Sequence, residues 1–529
     1  MAKSWAGRTS SSLATIFRDV GGLVLIIGGL LLIPLFVALV YWEPYSGLAF
    51  LISAGITGLA GGVIYWVFNN APNPKKPHAM VIAAFGWLAC AIFGALPFIF
   101  AAYLTPVEVM NSYIPAGAAY TQSSMMTFRN PLHAVFESMS GYTGTGLTMS
   151  VHEPSLTHSL LFYRSIMQFI GGVGVIVLSL AILRTPKGTS GVLLYISEAH
   201  EEKLRPNIIE TVRSIWKIYI LITATVAVYL FLGTLLILPE YGIAPTVFDA
   251  INHAMTGQSA GGFSTLDNSI AGYNSSTMEI LYIPPMVLAA VALPLYYQLF
   301  SERDWRDIWR NPQPRWLIIL SIMGSIILTS LLLGVDTVSN PVREGVFQYI
   351  SALSTTGWQT SNIGAWSGGA VIFIVAGAMV IGGSVGATVG GIKIVRAYLI
   401  GRGISWQVYR VFLPEHALET FKIGNDRLDR NELTDEFTTA TVFSILYVIV
   451  LIASVLIIFQ FMGQQYTLAD AIFESASAQG NVGLSSGMTH PAMSPIVEMM
   501  LLVQMWIGRL EIIPLLVFFR ALIAGTSFH

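Results

Sequence analysis

Residues 136–148 read FESMSGYTGTGLT and residues 473–485 read FESASAQGNVGLS, identical at six of thirteen positions. Two weaker copies follow in the same frame, FDAINHAMTGQSAGGFSTLD from Phe248 and FQYISALSTTGWQTSN from Phe347. Each is a short apolar segment that runs into a glycine: Gly146, Gly262, Gly357 and Gly483. The chemistry open to such segments is ion coordination by backbone oxygen. Non-helical backbone at membrane depth is tolerated only inside protein or beside a water-filled cavity. Four such loops around one axis would turn rings of carbonyls towards a dehydrated cation. Glycine lets successive carbonyls face the axis because it adopts φ > 0 without a Cβ clash. The short helix before each loop would point its negative C-terminal end at the same place. The four loop tips carry no carboxylate, which fits a monovalent alkali ion better than a divalent one. The candidate ligands are Gly144, Thr145 and Gly146, then Gly261 and Gly262, Thr356 and Gly357, and Val482 and Gly483. A single copy could equally be a helix-packing motif; four copies in register favour the pore loop.

The elements that must hold these loops are membrane helices. Of 529 residues 54% are hydrophobic and 11% charged, against roughly 25% charged in a soluble domain. A bilayer core needs about 20 apolar residues of helix. Nine stretches qualify with little or no charge: 20–42, 45–68, 79–104, 165–183, 218–239, 280–301, 316–335, 366–392 and 437–461. A tenth, 494–519, carries Glu498, Arg509 and Glu511. The first run is too long for a cleaved signal peptide. With both termini inside, 23 of the 27 basic residues fall in cytoplasmic segments, which sets the orientation. The expected fold is all-α and polytopic. Ten transmembrane helices and four re-entrant pore loops form four pseudo-symmetric helix–pore loop–helix repeats around one pore, after two extra helices. The repeats are expected at 74–200, 201–312, 313–410 and 411–529, with the extra helices in 1–73. The single cysteine, Cys90, excludes an internal disulfide.

A gate is expected beneath the loops. The segment GGSVGATVGG, from Gly382 to Gly391, has five glycines in ten positions, and each costs about 1 kcal/mol relative to alanine in a helix. A broken helix follows, with Gly382, Gly383, Ser384, Gly386, Thr388, Gly390 and Gly391 in a loop under the filter. Counting 26 residues from each filter glycine gives Gly172, Leu288, Gly383 and Arg509. A charge at that depth is functional by default. Arg509 is expected to face the pore and form the closed constriction with the loop; the alternative is a buried ion pair with a carboxylate of another helix. His133 and His253 are expected as capping or loop groups near the starts of the short helices. Glu137 and Glu474 are expected in first turns, complementing the helix dipole.

No GxxxxGK[ST] is present, so the chain is not itself a P-loop ATPase. HEPS at 152 and HEEK at 200 lack a second zinc-protease histidine. Enzymatic chemistry needs a paired constellation facing a cavity, and ionisable residues are scarce in the expected spans outside the last one. Proton-coupled transport needs buried relays, for which Glu511 is the candidate.

The frame FESMSGYTGTGLT, the helix FYRSIMQFIGGVGVIVLSLAIL, the segment GGSVGATVGGIKIVR and the last helix MWIGRLEIIP together resemble the Trk/Ktr/HKT superfamily of potassium transporters, in particular its TrkH-type branch. The resemblance covers essentially the whole chain, and the two extra N-terminal helices favour that branch. It implies a K+-selective uptake pathway, with Gly146, Gly262, Gly357 and Gly483 setting selectivity and K+ held at Thr145 and these glycines. It further implies a homodimer in the lipid of a cytoplasmic (inner) membrane and a separate cytosolic nucleotide-binding regulatory subunit. The long mixed-charge inner segments 184–217 and 393–436 would suit that subunit. No cofactor beyond the transported K+ and no nucleic acid is expected. A coupled H+ or Na+ symporter, or a Na+-permeable relative, is the alternative. Departures from the family pattern are Gly144 where threonine is frequent and Leu147 where alanine is. A third is Ala289–Ala290, with Pro284, Pro285 and Pro294, in place of a glycine pair.

Overall fold

The computed structural model describes residues 11–174, 208–302, 311–366, 368–412, 421–423, 426–428 and 430–525. The inner segments 175–207 and 303–310, the N-terminal basic residues Lys3 and Arg8, and the second half of the expected span 165–183 lie outside them. The described residues are helical apart from connecting loops and a small hairpin pairing β1 (Phe421–Ile423) with β2 (Asp426–Leu428).

At the front, α1 (Ser11–Leu30) continues after a one-residue break into α2 (Leu32–Val40), and α3 (Pro44–Val67) packs back on α1. A Cβ on Gly28 would meet the Gly58 backbone, and one on Gly61 would meet that of Leu25. Small residues let these backbones touch, as membrane helix pairs do where apolar burial gives no drive.

Four similar units follow. The first holds α4 (Lys76–Gly94), α5 (Leu96–Leu104), α6 (Val107–Asn111), α7 (Pro131–Thr143) and α8 (His158–Val173). The second holds α9 (Ile208–Ile237), α10 (Ile243–Gln258), α11 (Ser276–Ala289) and α12 (Leu293–Glu302). The third holds α13 (Pro312–Leu332), α14 (Pro341–Leu353), α15 (Gly369–Ile381) and α16 (Ile394–Arg410). The fourth holds α17 (Arg430–Phe461), α18 (Leu468–Gln479), α19 (Pro495–Leu510) and α20 (Ile513–Ala524). In each unit a long apolar element leads to a short helix (α7, α10, α14 or α18) and then to a second apolar helix.

Six helical stretches among the described residues are long and apolar enough to cross a membrane, and a seventh if α11 and α12 count as one. Among the described residues, three of the expected spans are interrupted by more than the one-residue breaks at Leu31 and Ala95. The span 280–301 bends by 88° between α11 and α12. Pro294 lacks an N–H and its ring opposes the carbonyl four residues back, at Ala290, the residue that caps α11. The span 494–519 stops at Leu510, four residues before Pro514, and turns through Glu511 and Ile512 at positive φ. The span 366–392 ends at Ile381, where the glycine-rich run begins.

Polarity is inside out relative to a soluble protein. Large apolar side chains face outward, with Leu236 84% and Ile523 88% exposed, as lipid-facing surface would be. Glu137, Arg164, Gln168, Gln348, Glu474 and Asn481 are buried, and buried groups of this kind need partners. Those partners surround the four loops.

Candidate functional site

Each short helix hands over to its loop in the same way. The residue two before the filter glycine is left-handed in all four copies: Gly144 (φ 68°), Ala260 (52°), Thr355 (51°) and Asn481 (50°). The glycine itself is also at positive φ: Gly146 (92°), Gly262 (75°), Gly357 (81°) and Gly483 (95°). The residue between them donates its N–H back to the short helix. These bonds run from Thr145 to Ser140 (2.9 Å), Gly261 to Thr256 (2.8 Å), Thr356 to Ser351 (3.0 Å) and Val482 to Ser477 (2.9 Å). A left-handed alanine or threonine is costly and persists where the surroundings enforce it, as they do at functional sites. Gly144 is thus the first copy's unstrained occupant of a turn common to all four.

The loops meet in a closed ring. A Cβ added to Gly146 would strike the carbonyl oxygen of Gly261; on Gly262 it would strike that of Thr356. On Gly357 it would strike Val482, and on Gly483 it would strike Thr145, which returns to the first copy. Four glycines each lie against the carbonyl of the next unit, so any side chain would displace a carbonyl of the ring. The expected residues Thr145, Gly146, Gly261, Gly262, Thr356, Gly357, Val482 and Gly483 are therefore brought together, with Gly144 one step behind.

Over the ring lies a cavity of about 580 Å³, lined by all four glycines together with Glu153 and Arg164. Arg164 is buried; its Nε donates to Glu137 (2.7 Å), Nη2 to Thr148 (2.9 Å) and Nη1 to the Ser264 carbonyl (3.2 Å). It therefore ties the first loop to the second. Glu153, in the loop between α7 and α8, lies 3.6 Å from the same guanidinium. Burial pushes its carboxyl up to about 7 although Arg164 pulls the other way.

The loops are braced from behind by side chains to which the sequence had given another role or none. Glu137 accepts from Thr148 Oγ1 (3.0 Å) and Met149 N (2.8 Å). Glu474 accepts from Ser485 Oγ (2.6 Å) and Ser486 N (2.8 Å). Gln348, its amide oxygen turned to the loop, accepts from Thr360 N (2.7 Å) and Ser361 N (3.2 Å). All three stand nine residues before their glycine. Neither glutamate is in a first turn: both lie mid-helix and serve the returning loop, which corrects the dipole assignment. The same count in the second unit gives His253, not Asp249, so the frame that starts at Phe248 is displaced by four residues. The cause is α10, about one turn longer than α7, α14 or α18. His253 is therefore not a capping group, whereas His133 does sit at its helix start, bonded to Asn130 and Glu498. Gln168 grips the second loop directly, donating to the Gly261 carbonyl (2.5 Å) and accepting from Phe263 N (3.0 Å). Asn481 links the fourth loop to the first through Thr145 Oγ1 (2.9 Å). The spacing to glycine was the available signal for the three braces at that position; Gln168, Arg164 and Asn481 gave none.

Beneath the ring, residues 382–393 leave the helix. Ser384 N donates to the Ala290 carbonyl (3.1 Å), the group freed by Pro294, and the Gly386 carbonyl accepts from Leu293 N (2.9 Å). Gly383 packs against Ala290, and Gly382 lies against Gly390. Thr388 Oγ1 donates to the carbonyl of Gln258, the last residue of α10 (3.1 Å). Gly390 N donates to Thr355 Oγ1 (3.2 Å), and its α-carbon lies against the Gly480 carbonyl. Gly382, Gly386 and Gly391 hold positive φ. The segment thus touches the ends of three short helices. Arg509 joins it to the first unit through α8, not through α7: Nη1 donates to the Thr388 carbonyl (3.3 Å), and Nη2 to Gly172 O (2.7 Å) and Gly171 O at the end of α8. Its guanidinium also lies over Trp87 (5.5 Å). Glu511 instead meets Lys393 (3.3 Å) and Arg396 (2.5 Å).

The sequence model of the TrkH family, described as "Cation transport protein", matches residues 78–529. An uncharacterized cation transporter of Methanocaldococcus jannaschii is 31% identical over 98% of each chain. The Trk system potassium uptake protein TrkH of Escherichia coli is 30% identical over 95% of this chain and 98% of its own. The crystal structure of the potassium transporter TrkH from Vibrio parahaemolyticus superposes with a TM-score of 0.74 at 25% identity, covering 96% of this chain and 98% of that one.

Proposed function

The chain belongs to the TrkH family of cation transport proteins, and on that premise we propose that it takes up potassium through one gated pore at the centre of its four units. Ten transmembrane helices and four re-entrant loops make up the proposed assembly, with both termini on the cytoplasmic side of the inner membrane. The observation that carries this reading is the ring in which each filter glycine abuts the next unit's carbonyl. K+ would pass in contact with the carbonyls of Thr145, Gly146, Gly262, Gly357 and Gly483, which substitute for its water. Segment 382–391 and Arg509 form the closed gate under the filter. The guanidinium there supplies both repulsion of cations and a plug held by backbone carbonyls. A homodimer and a cytosolic nucleotide-binding regulatory subunit complete the assembly, the latter driving the gate from the inner side.

A channel-like pathway driven by membrane potential is favoured over coupled symport. Glu511, the carboxylate considered for a proton relay, has Lys393 and Arg396 as ion-pair partners, which suits a fixed charge better than a carrier of protons. Reconstitution into liposomes tests the proposal, with K+, Rb+ and Na+ flux measured with and without an imposed potential. Accumulation of K+ driven by potential alone, at one pH and without Na+, is expected. A strict requirement for a proton or Na+ gradient would replace it with symport.

A further inference from the structure

Three units brace their filter loop with an oxygen acceptor nine residues before the glycine, and the second unit has His253 there. We propose that His253 is a positioning residue for K+ discrimination: a neutral imidazole whose Nε2 accepts from the second loop and holds it in the register of the other three. The inference rests on the reading of the four loops as the filter.

The hydrogen bonds fix the state of the ring. Three hydroxyls converge on the Asp249 carboxylate: Thr265 Oγ1 (2.6 Å), Tyr241 OH (2.7 Å) and Tyr273 OH (3.0 Å). A carboxylate accepts and does not donate, so the Tyr273 proton points to Asp249. The Tyr273 oxygen then accepts from Tyr282 OH, 3.1 Å away. The Tyr282 oxygen in turn accepts from His253 Nδ1–H (2.7 Å). With the proton on Nδ1, Nε2 keeps its lone pair. That lone pair meets Ser264 Oγ (3.0 Å) and Thr265 N–H (3.3 Å). Ser264 Oγ accepts from Leu266 N (3.1 Å) and so has its own proton free for Nε2. Two fixed ends set the direction: the Asp249 carboxylate can only accept at one, and the Thr265 N–H, which can only donate, meets Nε2 at the other. Ser264 and Thr265 stand two and three residues after Gly262, as Thr148 and Met149 do after Gly146. An imidazolium would have no acceptor for Thr265 N–H; a mis-set tautomer would present a donor to a donor. Either would release the loop whose glycine contacts the Thr356 carbonyl.

The test uses the full-length protein in liposomes and reads the K+/Na+ permeability ratio for His253→Gln, His253→Leu, Tyr282→Phe and Gly262→Ser. His253→Leu is expected to lower the ratio by about tenfold, equivalent to ~1.4 kcal/mol of discrimination. His253→Gln, which places at this position the side chain that braces the third unit, is expected to stay within about twofold of the unmodified protein. Tyr282→Phe removes a single hydroxyl and leaves the tautomer unset, so an intermediate ratio is expected. An unchanged ratio in His253→Leu while Gly262→Ser lowers it would overturn the proposal. So would a loss as large in His253→Gln as in His253→Leu, because the residue would then only fill space. Should His253→Leu not be recovered folded, Tyr282→Phe decides, and an unchanged ratio there counts against the proposal. If Gly262→Ser also leaves the ratio untouched, it is the filter reading itself that falls.

Discussion

Single residues carry charge and clearance at this site. Arg509 was legible in the sequence as a charge in an apolar span, but its partners were not. Among the described residues its hydrogen bonds reach the carbonyls of Gly171, Gly172 and Thr388. A cation at the end of a helix is favourable there, so removing it would loosen the proposed plug and take away a positive charge together. Arg509→Ala is expected to raise K+ flux without the regulator by about tenfold or more. Wild-type or lower flux in folded protein would move the gate elsewhere. Glu153 was not picked out because nothing local marks it; a buried position beside the outer cavity makes it matter. Its carboxyl is raised from 4.5 to about 7, so between those values the folded protein holds a proton that an unfolded chain releases. Stability contributed by this group therefore falls as pH rises through that window. Above it, Glu153 is ionised and adds negative charge to the outer cavity. Uptake from low external K+ is expected to rise as external pH passes about 7, and Glu153→Gln should flatten that rise. A profile unchanged in the variant would assign it to another group.

At the level of elements, the proposed gate is built from broken helices, and the breaks follow simple rules. Pro294 and Pro514 each end a helix four residues upstream, at Ala290 and Leu510. Both prolines were in view, yet apolar length alone made 280–301 and 494–519 read as continuous spans. The glycine-rich run 382–391 announced its own break. What it could not announce was its contacts, because these come from three short helices distant in sequence. The two breaks are joined by charge: Glu511, at φ 59°, pairs with Lys393, at φ 78°, and with Arg396. Arg396 also stacks on Phe443 of α17 (4.1 Å). The pair fixes the C-terminal end of the proposed gating segment to the turn after α19. Losing one partner of a mostly buried ion pair leaves the other charge uncompensated. Glu511→Gln is expected to destabilise the closed position and raise basal flux several-fold, with the K+/Na+ ratio unchanged because the filter is not touched. Unchanged basal flux in tracer uptake would count against this latch.

For the molecule as a whole, internal repetition was the most informative feature of the sequence. Identical glycines, their spacing and the position of the apolar stretches were enough to expect four units about one axis. The second unit shows the limit. Its copy diverged: Phe248 matches Phe136 by residue type, but the extra turn of α10 makes His253 the counterpart of Glu137. Pseudo-symmetry is thus kept in the backbone, in the paired left-handed residues and the returning N–H bonds, while the side chains behind it differ. That is what a pore needs, since four equivalent oxygens can be held by unlike braces. The central claim is that the four loops act as one filter, and the most direct measurement is the K+/Na+ permeability ratio in liposomes for Gly146→Ser, Gly262→Ser, Gly357→Ser and Gly483→Ser. Each added Cβ would strike the carbonyl of the neighbouring unit, so every variant is predicted to lose discrimination by about tenfold or to stop conducting. Four folded variants that conduct with the unmodified ratio would contradict the account.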